Sequence, residues 1–273
     1  MNIGSVRARY REEAMQRKIN PRDVDLLLAD LLAKPIPYLI SHEDEPLDEQ
    51  ILERFRSFAE RRFRGEPLQY IRGRTEFYGR EFAVDARVLI PRPETEILVE
   101  IALSLAARNG RVLDVGTGSG CIATTLAMER PDLSVLATDR SMDALLVARA
   151  NARRLQATVR LAQGDVLGAI RGRFSLIASN PPYIAADEMP ELQREVRDHE
   201  PLMALSPGTD PLEIVRELLR QSRERLEPQG ALAIEIGFGQ GDAVSGLAHG
   251  LGWTSVELFD DLAGIPRVLV VRQ

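Results

Sequence analysis

The chain is poor in the residues that build covalent or metal-held frameworks. It has a single cysteine, Cys121, so no internal disulfide can form. That cysteine stands beside a glycine-rich turn and reads as a small packing residue rather than a reactive thiol. The histidines, His42, His199 and His249, are far apart and have no cysteine company, so no metal cluster is expected. Lysine is nearly missing; Lys18 and Lys34 are the only two, and arginine fills the other basic positions. No apolar run approaches the ~20 residues of a membrane span. Residues Met1 to Tyr10 hold no apolar core of signal-peptide length. A cytoplasmic protein with no membrane partner is expected. Positive charge is in deficit too, with a formal net charge of -6. Binding to nucleic acid by counterion release needs the opposite surplus, so no direct nucleic-acid partner is expected.

What is present falls into two parts. The 273 residues suffice for one large or two modest domains. Residues 1–74 read as an N-terminal helical bundle of four or five helices. Asn20-Pro21 is a start signal, with Asp23 and Asp25 favouring the positive helix end. Ile51, Leu52, Phe55, Phe58, Ala59 and Arg62 fall on one helical stripe that Gly65 stops. Arg54, Arg56, Arg61, Arg62, Arg64, Arg72 and Arg74 form a basic run. It reads either as a solvated helix face with interspersed glutamates or as part of a surface that receives a protein substrate. Residues 75–92, with Phe77, Gly79, Phe82 and Val84 alternating, read as a β-hairpin linker. Residues 93–273 then alternate helix and strand, which predicts an α/β domain with a mostly parallel, Rossmann-like sheet. Its last two strands, near 255–259 and 267–271, can pair as an antiparallel hairpin. A monomer is expected.

The chemistry is concentrated at strand ends. The apolar run Phe174 to Ser179 reads as a buried strand, and Asn180-Pro181-Pro182-Tyr183 follows it. Open α/β sheets bind ligands at that end. Two prolines cannot extend a strand and hold the preceding residue extended, so the turn is stiff. It offers the Asn180 amide, the Pro181 carbonyl and the Tyr183 ring: two acceptors and a flat wall, suited to a planar group bearing NH2. An ordinary Asn-Pro turn is the plain alternative.

Upstream, Val112-Leu-Asp114-Val-Gly116-Thr-Gly118-Ser-Gly120-Cys121 joins a strand to a helix. Glycines at 116, 118 and 120 let backbone approach a ligand closely. The spacing is G-x-G-x-G, not the nicotinamide G-x-G-x-x-G, and no phosphate-loop motif is present. With an acidic residue two positions before the first glycine, it is typical of S-adenosylmethionine sites; Gly116, Thr117, Gly118, Ser119 and Gly120 are the candidate loop. A tight turn without a ligand is the alternative. Asp139 ends the next strand, 19 residues after Gly120. A carboxylate there grips ribose hydroxyls, or else caps the helix that follows. Asp165 and Val166 follow the third strand, where an adenine edge would be met; a plain Gly-Asp turn is the alternative.

Together these residues resemble the bacterial release factor glutamine N5-methyltransferases. The resemblance runs over nearly the whole chain. It includes Leu26 to Ala33, Gly65-Glu-Pro-Leu-Gln-Tyr-Ile-Arg-Gly73, Phe77 and Phe82, Leu89-Ile-Pro-Arg-Pro-Glu-Thr-Glu96, the glycine loop, Asn180 to Tyr183, and Glu200-Pro201. It implies a seven-stranded class I methyltransferase domain, S-adenosylmethionine as cofactor, and transfer to the glutamine of the Gly-Gly-Gln motif in class 1 peptide-chain release factors. It assigns catalysis to Asn180, Pro181, Pro182 and Tyr183, and cofactor contact to Gly116–Gly120, Asp139, Asp165, Val166 and Asn180. Substrate recognition falls to the helical domain. The expected chemistry is in-line methyl transfer to an amide nitrogen held by two accepted hydrogen bonds, with no general base required. The Asn-Pro-Pro-Tyr motif is shared with adenine-N6 DNA methyltransferases; the Pro91-Arg-Pro-Glu94 block separates the chain from sister enzymes acting on a ribosomal protein. A cofactor-binding module without catalysis is a third alternative. One stretch departs from the family: Ser206-Pro-Gly-Thr-Asp-Pro211-Leu stands where relatives often carry Gly-Gly-x-Asp-Gly-Leu.

Overall fold

The computed structural model describes residues 1–168 and 170–272. They divide into two compact units, Met1–Gly73 with Gln193–His199, and Arg74–Leu192 with Glu200–Gln273. Among the described residues no helix is long and apolar enough to cross a membrane.

The first unit holds α1 (Ile3–Gln16), α2 (Arg22–Leu32), α3 (Ile36–Ser41), α4 (Glu49–Phe63) and α5 (Leu68–Arg72). The Asn20 side chain accepts from Arg22 N at 3.0 Å, and Asp48 caps α4 by accepting from Gln50 N at 2.8 Å. The stripe on α4 buries Leu52, Phe55, Ala59 and Arg62. Tyr10 meets Phe55 edge-on with ring centroids 4.9 Å apart. The basic run is largely spent on ion pairs. Arg62 is buried, giving Nε to Asp23 at 2.7 Å and Nη2 to Glu195 at 2.7 Å. Arg61 binds Glu66, Arg72 binds Asp30, and Arg56 lies 3.7 Å from Glu49. A guanidinium buried this deeply persists only because carboxylates meet it.

The second unit opens with the antiparallel pair β1 (Arg74–Phe77) and β2 (Arg80–Ala83). It continues through α6 (Thr95–Leu105), β3 (Arg111–Val115), α7 (Cys121–Glu129), β4 (Ser134–Asp139), α8 (Met142–Arg154), β5 (Val159–Gln163) and β6 (Phe174–Ser179). After α9 (Arg194–His199), which belongs to the first unit, come α10 (Leu202–Leu205), α11 (Glu213–Arg225), β7 (Leu226–Glu235), α12 (Gly241–Gly250), β8 (Ser255–Asp260) and β9 (Pro266–Arg272). The seven-stranded sheet has the order β5-β4-β3-β6-β7-β9-β8. Strands β3 to β7 are parallel, while β9 lies antiparallel between β7 and β8. The expected antiparallel hairpin is there, with its second strand inserted beside β7. All six residues of β6 are buried, as a central parallel strand covered on both faces requires.

One face of the sheet is covered by α6 and α7, together with Phe77 and Phe82 of the hairpin. The other is covered by α11 and α12. Phe77 and Phe82 pack edge to face at 6.0 Å and are almost wholly buried. The hairpin is therefore an integral part of this core. Asn151 on α8 ties it down further: its amide exchanges hydrogen bonds with Ala83 N and O at 2.8 and 2.9 Å and gives a third to Ser119 O at 2.9 Å. Phe77→Ala is expected to cost the second unit about 3–5 kcal/mol of stability in a denaturant titration; a loss below about 1 kcal/mol would detach the hairpin from that core.

Candidate active site

A cavity of about 430 Å³ opens at the carboxyl ends of β3, β4, β5 and β6. That is the size class of a small-molecule site. The glycine loop forms one wall. Gly116, Gly118 and Gly120 have φ of 73°, 54° and 80°, a region where side chains are strained. A Cβ at Gly116 or Gly118 would meet nothing within 4 Å, whereas one at Gly120 would press on Ala148 at 3.0 Å. The first two glycines thus keep the backbone open, and the third allows α7 and α8 to pack. Asp114 holds the loop from beneath. Its Oδ2 accepts from Thr117 Oγ1 at 2.6 Å and from Ala123 N at 3.2 Å. Burial pushes its carboxyl up to about 7 against those two donors. Its Oδ1 is buried with no partner among the described residues, a natural seat for the proton. Burial likewise pushes the Cys121 thiol up to about 12, which suits a packing residue.

Asp139 accepts from Gly118 N and Ser141 N, each at 2.8 Å. It therefore links the glycine loop to the start of α8, and burial raises its pKa despite those donors. The turn after β5 brings Asp165 and Val166 to the same cavity. Val166 has φ of 48°, costly for a β-branched residue, and Leu167 N donates to Gln221 Oε1 at 3.1 Å. Strain of this kind persists where the surroundings over-determine it.

Asn180 and Pro181 line the cavity beside the glycine loop, one strand over. Asn180 Nδ2 donates to Thr95 Oγ1 at 3.0 Å. Thr95, at the start of α6, is buried, and so is Glu235 at the end of β7. Burial pushes the Glu235 carboxyl up to about 7, while hydrogen bonding by Thr95 and, to a smaller extent, Asn180 pulls it down. Tyr183 is locked from behind: Gln240 Nε2 donates to its carbonyl at 2.9 Å, and Gln240 Oε1 accepts from Gly237 N at 2.9 Å. A Cβ on Gly237 would come within 3.0 Å of the Tyr183 ring. Burial, then the nearby Glu235 charge, pushes the Tyr183 phenol up to about 12, so it remains uncharged.

The Leu89 to Glu96 block reaches the cavity through Leu89, Pro91, Arg92 and Thr95. Glu200 accounts for its partner motif, accepting from Arg92 at 2.6 Å and from Ile90 N at 3.2 Å. The departing loop also gains a role. Ala186 N donates to Gly208 O at 3.1 Å, and Asp210 accepts from Leu212 N at 3.0 Å and pairs with Arg216. Pro211 lies just ahead of α11, where the missing N–H costs nothing.

Every candidate site residue thus lies at the carboxyl ends of β3 to β6, and all but Gly120 and Tyr183 line the cavity itself. Thr95, Glu235, Asn151 and Gln240 escaped the reading of the sequence. Two had a signal: Thr95 lies on the same α6 stripe as Leu98, Val99 and Ala102, and Glu235 interrupts an apolar strand.

Residues 93–196 match the Methyltransferase small domain family, and residues 8–73 match the PrmC N-terminal domain. With the seven-stranded sheet, they define a methyltransferase of the α/β class. A methyltransferase from Pyrococcus furiosus shares this fold with a TM-score of 0.55, over 71% of this chain and 89% of its own, at 21% identity. The release factor glutamine methyltransferase of Koribacter versatilis is 46% identical over 259 residues, covering 93% of this chain and 92% of that protein. That of Nitratidesulfovibrio vulgaris is 42% identical over 273 residues, covering 97% and 92%. The chain belongs to the release factor glutamine methyltransferase family.

The raised Asp114 pKa has a sign that can be measured. A carboxyl whose folded pKa exceeds its unfolded value stabilises most below the unfolded pKa and loses that advantage as pH rises through the folded one. Asp114→Asn removes this slope. Relative to the variant, the native chain should lose stability between pH about 4 and about 7 and stay level above, in urea titrations at each pH. A difference independent of pH would mean that Asp114 titrates alike in both states.

Proposed function

We propose that this chain transfers a methyl group from S-adenosylmethionine to the side-chain amide nitrogen of the glutamine in the Gly-Gly-Gln motif of class 1 peptide-chain release factors. The observation that carries the proposal is Asn180: its amide nitrogen is occupied by Thr95, and its turn lines the same cavity as the glycine loop, leaving the neighbouring strand at the same level. Family membership supplies the acceptor.

The residues fit the cofactor. Open space at Gly116 and Gly118 admits a ligand against bare backbone, and Asp139 has acceptor capacity left after binding Gly118 and Ser141. When bound, S-adenosylmethionine supplies a methyl group on a positively charged sulfur. Gly116, Thr117, Gly118, Ser119 and Gly120 would hold its methionine and ribose end, Asp139 would accept from the ribose hydroxyls and Asp165 from the adenine amine, and Val166 would give the ring an apolar contact. Asn180 borders both ligands. Its Oδ1 and the Pro181 carbonyl each accept one N–H of the glutamine amide, which aims the nitrogen lone pair and opposes rotation. Pro182 keeps the turn stiff. Tyr183, uncharged, packs on the flat amide. The nitrogen sheds its proton readily once methylated, so no side chain need abstract it first. Residues 1–74 act as the substrate-recognition domain, 75–92 as the linker and 93–273 as the methyltransferase domain, in a monomeric cytoplasmic enzyme.

The test is transfer of tritiated methyl from S-adenosylmethionine to a class 1 release factor, to the same factor with the motif glutamine replaced, and to duplex DNA. Label on the first alone is the expected result; label on DNA would overturn the acceptor. Two substitutions divide the roles. Asn180→Ala should reduce turnover far more than cofactor affinity, and near-normal turnover would refute its positioning role. Asp139→Ala should weaken cofactor binding by about 1.5–3 kcal/mol in calorimetry; unchanged affinity would remove Asp139 from the ribose.

A further inference from the structure

The usefulness of Asn180 depends on which way its amide points. With the nitrogen toward the cavity it would offer donors to a glutamine NH2 that needs acceptors. The two orientations have nearly the same shape, so packing alone does not choose between them. Thr95 does not choose either, because a hydroxyl both donates and accepts.

Glu235 can choose. The β6–β7 register pairs Ser179 with Ile234, so the next residues, Asn180 and Glu235, leave adjacent parallel strands side by side. Glu235 is 2% exposed and Thr95 2% exposed, so bulk solvent reaches neither. Asn180 Nδ2 donates to Thr95 Oγ1 at 3.0 Å, and Thr95 and, less strongly, Asn180 stand where hydrogen bonding lowers the pKa of the Glu235 carboxyl. A carboxylate only accepts. A Thr95 hydroxyl that faces it can only donate, and its oxygen is left to accept from Asn180. The charged groups around the carboxyl are Glu94, ahead of α6, and Arg267, on β9. Glu235 Oε2 is buried without a partner among the described residues. A proton taken up by the carboxyl resides there, and the other oxygen keeps accepting.

We infer, resting on the function proposed above, that Glu235 is a positioning residue that acts through Thr95 to fix the Asn180 amide with Oδ1 toward the substrate. It touches neither substrate nor cofactor. The sequence carries it as the lone charge in Ala231-Leu-Ala-Ile-Glu-Ile236.

The test compares Glu235→Met, Glu235→Gln and Thr95→Val in steady-state methyl transfer to the release factor, with cofactor affinity measured by calorimetry. Met fills the volume but accepts nothing. It should lower kcat on the order of 10- to 100-fold, the size of a lost charged hydrogen bond, with cofactor affinity within about twofold. Gln keeps an acceptor and should recover most of kcat. Thr95→Val breaks the relay and should fall with Met; it also serves if Glu235→Met does not fold. In an Asn180→Ala background no amide remains to orient, so adding Glu235→Met should cost nothing further. Native kcat in Glu235→Met, or an undiminished second loss in that background, would overturn the inference. If the native enzyme methylates no glutamine acceptor, the functional proposal fails by itself. Glu235 is then judged by nitrogen-15 NMR of the ligand-free protein: the Asn180 side-chain amide protons should exchange with water at least about tenfold faster in Glu235→Met. Unchanged exchange would overturn the orienting role whatever the acceptor.

Discussion

The parallel pairing of β3 with β6 is the constraint from which the site follows. Val115 is opposite Ser179, and Ser179 Oγ donates to Val115 O at 2.8 Å at the last rung. The next residues are Gly116 on one strand and Asn180 on the other. A ladder that buries two apolar strands thus delivers the loop suited to a cofactor and the turn suited to an amide at one level. A slip of one residue would turn every side chain of β6 to the opposite face. The apolar faces that stabilise the sheet are what guarantee the juxtaposition, so the chemistry inherits its precision from the core.

Loops that leave a buried sheet carry backbone N–H groups with no ladder partner, and carboxylates meet that need here. Asp114 takes Ala123 N, Asp139 takes Gly118 N and Ser141 N, and Glu200 takes Ile90 N. Asp139 reaches back 21 positions and Glu200 110, so these bonds tie together segments well separated in sequence. The cost is electrostatic: burial raises Asp114, Asp139 and Glu235 alike. The walls of the cavity are stiff because leaving any one of these acceptors unpaired would be more expensive still.

Much of this was legible before the coordinates. The β6 strand announced itself as an unbroken apolar run, and the G-x-G-x-G spacing and Asn-Pro-Pro-Tyr turn sat where strand and helix patterns said they should. Local signals sufficed because these features are local. β7 starts at Leu226 although Pro228 and Gly230 are poor strand formers, with Gln229 at φ 66° and a register shift opposite Phe174 to Leu176; pairing with β6 overrides the local preference. The arginine run was ambiguous in one dimension, since its partners Asp23, Asp30 and Glu195 lie up to 133 positions away. Thr95 and Glu235 broke their own patterns, but only the register of β6 with β7 and the packing of α6 bring them to Asn180.

The position of β9 bears on how the molecule comes into being. β7 has β6 on one side and β9 on the other, and β9 is the strand nearest the carboxyl terminus. During synthesis β7 therefore waits with one edge open while α12 and β8 emerge. An unpaired apolar edge is a template for misassociation, so the interval is a hazard for a nascent chain. Glu235 pairs with Val268 in that last ladder, so the end of β7 beside Asn180 stays unpaired on its outer side until β9 arrives. A nascent fragment lacking β9 has the glycine loop and the Asn-Pro-Pro-Tyr turn already aligned by β3 and β6, beside a β7 whose outer edge is still open.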